Sequence, residues 1–185
     1  MNDIVINISV PLDDENFLRR ECPFCGREFK IEISKEDLTN LAQAKLDGFL
    51  AEENKDDIIE EDRLNNDEAL NFCPYCGQEA HKSDWWTKEQ LSYIRIFAEN
   101  IMIDMVNTKL IRPLKNRYSG NKSDFFSFKI EAKEMRKKEP WISPEENDMK
   151  VFKLPCCQSS IKINDKWDKD IYCFYCGFQY SPNHN

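Results

Sequence analysis

One five-residue pattern occurs three times, as CPFCG at 22–26, CPYCG at 73–77 and CFYCG at 173–177; together with the adjacent Cys156 and Cys157 these copies account for all eight cysteines of the chain. A Cys-x-x-Cys-Gly turn presents two sulfurs to one ion at about 2.3 Å, and its glycine tolerates the left-handed backbone that points amide N–H groups at sulfur. Pro23 and Pro74 preset the first dihedral of two of these turns. Thiolates are soft ligands, and zinc, tetrahedral and redox-inert, is their natural occupant. No secretory signal precedes the cysteines, so a disulfide framework is the weaker reading.

Two ions are expected. Cys22, Cys25, Cys73 and Cys76 form the first site, with 47 residues between its halves. That is far more than the roughly 15–20 of a simple two-knuckle site, so the excess is read as a helical and acidic insertion, for which loop closure costs only a logarithmic penalty. Cys156, Cys157, Cys173 and Cys176 form the second, with 15 residues between its halves; "SSIKI" and "DIYC" are expected to pair as its strands, turned by "NDKWDK". Adjacent residues on a strand point to opposite faces, so Cys156 and Cys157 reach one ion only if the chain bends there, and Pro155 makes the bend plausible. Four-cysteine ligation is the expectation. The alternative is three cysteines with His184, His81 or a water, and a water-bearing zinc is a potential Lewis acid, although no obvious general base lies nearby.

The first residues alternate through Ile4, Ile6, Ile8 and Val10 as a strand, and residues 17–33 read as strand, knuckle and return strand. Ser34 with Asp37 caps a helix to about residue 52, and "ALNFCPYCGQEA" enters the second knuckle as a strand. Thr87 with Gln90 forms a capping box for a helix over Lys88–Arg112, before Pro113. "FFSFKIEAK" and "MKVFKL" read as further strands, with a Pro-broken stretch between them. The fold class is therefore α+β: two zinc-ribbon knuckle sites, one long α-helix and a small mixed β-sheet made from the first strand and these two. Three units follow: 1–83, 84–148 and 149–185.

The knuckle-bearing stretches "FLRRECPFCGREFK" and "FCPYCGQEAHKSDWWTKEQLSY", with the paired cysteines near the end, resemble a group of uncharacterised bacterial proteins with two zinc ribbons. The resemblance implies zinc and a bacterial origin but no activity, because ribbons serve many unrelated proteins. No run approaches the roughly 20 apolar residues of a membrane span, so a cytoplasmic protein is expected.

The net charge of −8 is uneven: ten acidic residues lie between Asp47 and Glu68, and ten basic residues between Lys109 and Lys138. The first function expected is a non-enzymatic zinc-binding adaptor that presents its knuckles and long helix to a protein partner or a second copy, as an accessory subunit of a bacterial defence or regulatory complex. Trp85, Trp86, Trp141 and Trp167 would cover a metal site or anchor an interface. The alternative is nucleic-acid binding, with Lys109, Arg112, Lys115, Arg117 and Lys122 on phosphates and Tyr118, Phe125 and Trp141 stacked on bases. A metal-dependent nuclease built on Glu131 and Lys133 is remote, because no second carboxylate is placed beside them.

Overall fold

The computed structural model describes residues 8–53, 70–118 and 133–181. The expected strand residues Ile4 and Ile6, most of the acidic stretch, Lys122, Phe125, Glu131 and His184 lie outside them.

Strands β1 (Phe17–Glu21) and β2 (Glu28–Glu32) flank the first knuckle, β3 (Leu70–Phe72) and β4 (Glu79–His81) the second, and β7 (Ile171–Tyr172) and β8 (Gln179–Tyr180) the third. The Cys156–Cys157 pair lies in the turn between β5 (Lys150–Leu154) and β6 (Ser159–Ile163). Helix α1 (Lys35–Glu53) follows β2, and helix α2 (Lys88–Val106) follows β4. The expected caps are present. Asp37 N–H donates to Ser34 Oγ, and Thr87 and Gln90 satisfy each other's backbone N–H groups.

Helicity beyond Lys88 runs farther than expected but changes form. A π-turn occupies Asn107–Ile111, and α3 (Arg112–Tyr118) continues from it. Pro113 has no N–H for the Lys109 carbonyl and its ring crowds that carbonyl, so a wider turn just upstream accommodates it. The second long helix is α1, which has the same 19 residues as α2 in length and packs on it.

The sheet also differs from expectation. Among the described residues it has four antiparallel strands in the order β1-β2-β6-β5, and of the three strands expected in a mixed sheet β5 is the one described there. Ile8 and Val10 are buried without belonging to a strand, and residues 125–132 lie outside the described segments. The expected hairpin of "SSIKI" with "DIYC" is replaced by two others: β6 pairs with β5 and β2, while β7 pairs with β8. Each cysteine pair is flanked by its own two strands, so the strand before Cys156, not the one after the intervening turn, completes the hairpin. Chain segments 1–83 and 149–185 thus contribute two strands each to one sheet.

One sheet face carries Leu18, Phe29, Ile31, Ile161 and Ile163 into a single core with Leu38, Ala42 and Leu46 of α1 and Ile94 and Ala98 of α2. On the opposite face Arg19, Lys30 and Lys162 stand in register on three adjacent strands. Three cations side by side repel one another, and burial adds a desolvation cost. Acidic segments that precede β1 and β5 offset this. Asp13 reaches Lys162 at 2.8 Å and Lys30 at 3.3 Å, while Glu145 and Asp148 pair with both Arg19 and Lys30. Lys30 and Lys162 have no exposed side-chain surface.

The Pro-broken stretch 133–148 runs along α2 in extended form. Asn100 exchanges two hydrogen bonds of 2.8 Å with the backbone of Lys138, and Asn107 does the same with Met135. Seven helical residues rise about 10.5 Å and three extended residues span about 10 Å, so two asparagines two turns apart match this segment. Among the described residues no helix is long and apolar enough to cross a membrane.

Candidate metal centres

Each of the three Cys-x-x-Cys-Gly turns closes with the same two backbone bonds. The first cysteine donates its N–H to the carbonyl of the residue five positions on, at 2.8–3.0 Å, and its own carbonyl accepts from the glycine N–H at 2.9–3.0 Å. Amides then turn onto sulfur: Phe24 and Cys25 donate to Cys22 Sγ, and Tyr75 donates to Cys73 Sγ, each at 3.4 Å. This is the geometry that stabilises a thiolate.

Cys22, Cys25, Cys73 and Cys76 come together, with all four sulfurs within 4.8 Å of one another. The cross-knuckle pairs Cys22–Cys76 and Cys25–Cys73 are each separated by 3.8 Å. Four sulfurs at about 2.3 Å from one ion in a tetrahedron lie about 3.8 Å apart, whereas a disulfide needs about 2.05 Å. All eight cysteines are free. The donor set and its spacing therefore fit a tetrahedral thiophilic ion. Burial pushes the Cys73 thiol far up and raises Cys22, whereas at Cys25 burial is outweighed by hydrogen bonds from the Arg27 amide and the neighbouring thiols, which lower it; a cation among the four sulfurs would favour the thiolate form of all of them.

Cys156, Cys157, Cys173 and Cys176 form a second group with the same bound on sulfur separation. Both adjacent cysteines belong to it. The bend that this demands is a hairpin turn: Cys157 N–H donates to Leu154 O at 3.2 Å, and Gln158 takes a left-handed φ of 51°. Tyr180 holds the turn from the other half, its hydroxyl accepting the Cys156 N–H at 2.9 Å. Burial pushes Cys173 up to about 12. Slight burial opposes ionisation of Cys156, but hydrogen bonds from Tyr180 and the neighbouring thiols bring it down to about 7. His81 lies exposed on β4 and belongs to neither group.

The two centres share a relation that the motif alone does not announce. Phe72 N–H donates to Phe174 O at 2.9 Å, and Tyr172 N–H donates to Pro74 O at 3.0 Å, so each knuckle gives its preceding amide to the other. Gly77 lies under the Tyr172 ring and Gly177 under the Phe72 ring, where an added Cβ would come within 3.0 Å in both cases. The sheet repeats the pattern, because hairpins β1–β2 and β5–β6 meet through their second strands, with Lys30 opposite Lys162. The two hairpin-and-knuckle frameworks are thus related by an approximate two-fold axis, the first enlarged between β2 and β3 and the α2–α3 segment belonging to neither. The sequence signal is the match of "FCPYCG" to "YCFYCG". Between the centres lies an aromatic cluster in which Phe29, Trp85 and Phe174 are mutually 5.5–5.7 Å apart.

Trp85 and Trp86 are buried, whereas Trp141 is 70% exposed. Of the basic residues named for phosphate binding, Arg112 and Lys115 share Glu134 at 3.7 and 3.3 Å, Lys109 lines a groove beside α2, and Arg117 lies on α3. Lys133 is exposed.

Comparison of the chain with protein-family models, with curated proteins and with solved structures found no match to any of the three.

Proposed function

We propose that the protein holds two zinc ions, one in each four-cysteine centre, and works as a non-enzymatic adaptor whose metal-fixed double framework presents the α2–α3 rod to a protein partner. The observation that carries this reading is the pair of four-cysteine groups, with 3.8 Å sulfur edges in the first that suit tetrahedral zinc. Zinc adds no redox chemistry and suits a reducing cytoplasm of bacterial type, which would keep eight thiols available. The likeness to two-ribbon proteins belongs to the same reading.

The rod supports the adaptor role. Met105, Leu110 and Leu114 are exposed along it, and Met135 is exposed on the segment that lies against it. A groove of about 670 Å³ runs beside α2, lined by Phe97, Ile101, Met105 and Lys109 among others. Exposed apolar side chains grouped on one element are the usual mark of a docking surface. The test is stoichiometric co-purification of one defined protein, lost in a Leu110→Glu, Leu114→Glu double variant that still carries two zinc ions. A monomer that retains no protein overturns the adaptor reading.

Nucleic-acid binding through Lys109, Arg112, Lys115, Arg117 and Lys122 is the second reading, favoured by the three cations Lys109, Arg112 and Lys115 on the π-turn and α3. Exposed pairing with Glu134 neutralises Arg112 and Lys115 only weakly. Phosphate contact would weaken steeply with salt, so salt-independent retention of RNA or DNA, or none, removes it.

A further inference from the structure

We propose that the Cys156–Cys176 edge of the second centre is an oxidation site for hydroperoxides, and that a disulfide formed there releases that centre's zinc while the first centre keeps its own. The inference rests on the two-zinc reading above. It is carried by three differences between the centres.

The first difference is access. Cys156, Cys157 and Cys176 are exposed and only Cys173 is buried, whereas Cys22 and Cys73 are buried and Cys25 and Cys76 are half-buried. The second is protection of sulfur. Cys22 and Cys73 accept backbone N–H groups, but among the described residues no amide donates to the sulfur of Cys156 or Cys157, which sit in a hairpin turn, Cys156 having only the Tyr180 hydroxyl and neighbouring thiols as donors. Amide donors withdraw charge from a thiolate and blunt its attack; a thiolate without them is the better nucleophile. The third is distance. Cys156 Sγ and Cys176 Sγ are 3.5 Å apart, closer than the 3.8 Å edges of the first centre. Closing from there to about 2.05 Å needs only a small shift of an exposed turn. Adjacent Cys156 and Cys157 are poorer partners for each other, since their α-carbons, about 3.8 Å apart, fall below the usual disulfide range of about 4.4–6.8 Å.

The chemistry balances with a hydroperoxide as oxidant. The Cys156 thiolate attacks the O–O bond, forming a sulfenic acid and expelling an alkoxide or hydroxide that takes a proton from solvent. The Cys176 thiolate then attacks the sulfenic sulfur and displaces hydroxide, which also takes a proton. Two thiolates lose two electrons and the peroxide gains them, giving one disulfide, one alcohol or water from the peroxide, and one water. Two of the four ligands are gone, and the remaining pair is too few for a closed structural site.

The experiment uses full-length reduced protein whose zinc content has been measured beforehand. One equivalent of hydrogen peroxide is added, released zinc is followed with a chromogenic chelator, and cysteine peptides are mapped by mass. One of two zinc ions should leave, at least about tenfold faster than the other, with a loss of two hydrogens on the linked Cys156 and Cys176 peptides and unmodified Cys22 and Cys73. Release of neither ion, release of both together, or a disulfide confined to the first centre overturns the proposal. A chain without zinc before peroxide is added overturns the two-zinc reading itself, and this inference with it.

Discussion

Cys22 and Cys73 are 1% and 0% exposed and Cys173 is 0% exposed, while Cys156 and Cys157 lie at the surface; the first centre is built from two Cys-x-x-Cys-Gly knuckles and the second from one knuckle and an adjacent pair in a hairpin turn. The first cysteine of each Cys-x-x-Cys-Gly knuckle is buried in both halves, and the exposed pair sits at the β5–β6 turn. In the first half α1 follows β2, packs on α2 and joins Leu38, Ala42 and Leu46 to the core that holds Cys22, Cys73 and Cys173. In the second half β6 and β7 are separated only by a short turn region, and nothing comparable among the described residues covers the Cys156–Cys157 turn. The first cysteine group is packed into the core, while the second enters the core at Cys173 and reaches the surface at Cys156, Cys157 and Cys176.

The sharpest way to break this comparison is to remove one ligand from each side. Cys73→Ser should lower stability by more than about 4 kcal/mol, because a core-embedded metal contributes folding energy directly. Cys156→Ser should leave a cooperative thermal transition, with only its own centre emptied. Equal losses in chemical denaturation would show that burial does not distinguish the centres.

Next in size is the ion cluster that joins the halves. Asp13→Ala leaves Lys30 and Lys162 facing each other across the sheet without the carboxylate between them, and should cost about 3 kcal/mol in a urea titration. The pH dependence has a definite sign. Burial works against the Asp13 charge, but hydrogen bonds from Lys162 and from the Phe17 and Glu15 amides hold its pKa below the usual carboxylate value. Its contribution is therefore full above pH about 4 and is lost as pH falls through the lowered folded-state value. The variant should show a flatter acid limb than the wild type; an unchanged limb would remove Asp13 from the account.

A smaller effect tests the reciprocal packing of the two knuckles. Gly177→Ala meets both a φ of +72° and a ring 3.0 Å away, whereas Gly26→Ala meets a φ of +67° and open space. The first should cost about 2–3 kcal/mol and the second about 1 kcal/mol, the backbone penalty alone. Thermal melts that give the same value for both would mean that the knuckles do not press on each other.

The local parts of this arrangement were legible from residue order. CxxCG fixes its own turn, Ser34 and Thr87 announce their helices, and the cysteine grouping follows from chemistry. Strand partnership was not legible, because "SSIKI" has a suitable face for either neighbour and only the sheet decides between them. Lys30 and Lys162 were hidden for another reason: a lysine within a strand normally marks the wet face, and nothing local shows that Asp13 and residues 145–148 come to cover it. Asn100 and Asn107 read as ordinary polar helix positions until an extended backbone lies against them. Pro113 marked a helix boundary, yet a wider turn absorbed it.

Metal content per chain, measured on freshly purified reduced protein together with Cys73→Ser and Cys156→Ser variants, tests the central claim most directly. The account predicts two zinc ions in the wild type and one in Cys156→Ser, with no folded, zinc-loaded Cys73→Ser protein. A wild type with fewer than two tetrahedral thiolate-bound ions, or with its sulfurs joined as disulfides under reducing conditions, would contradict it.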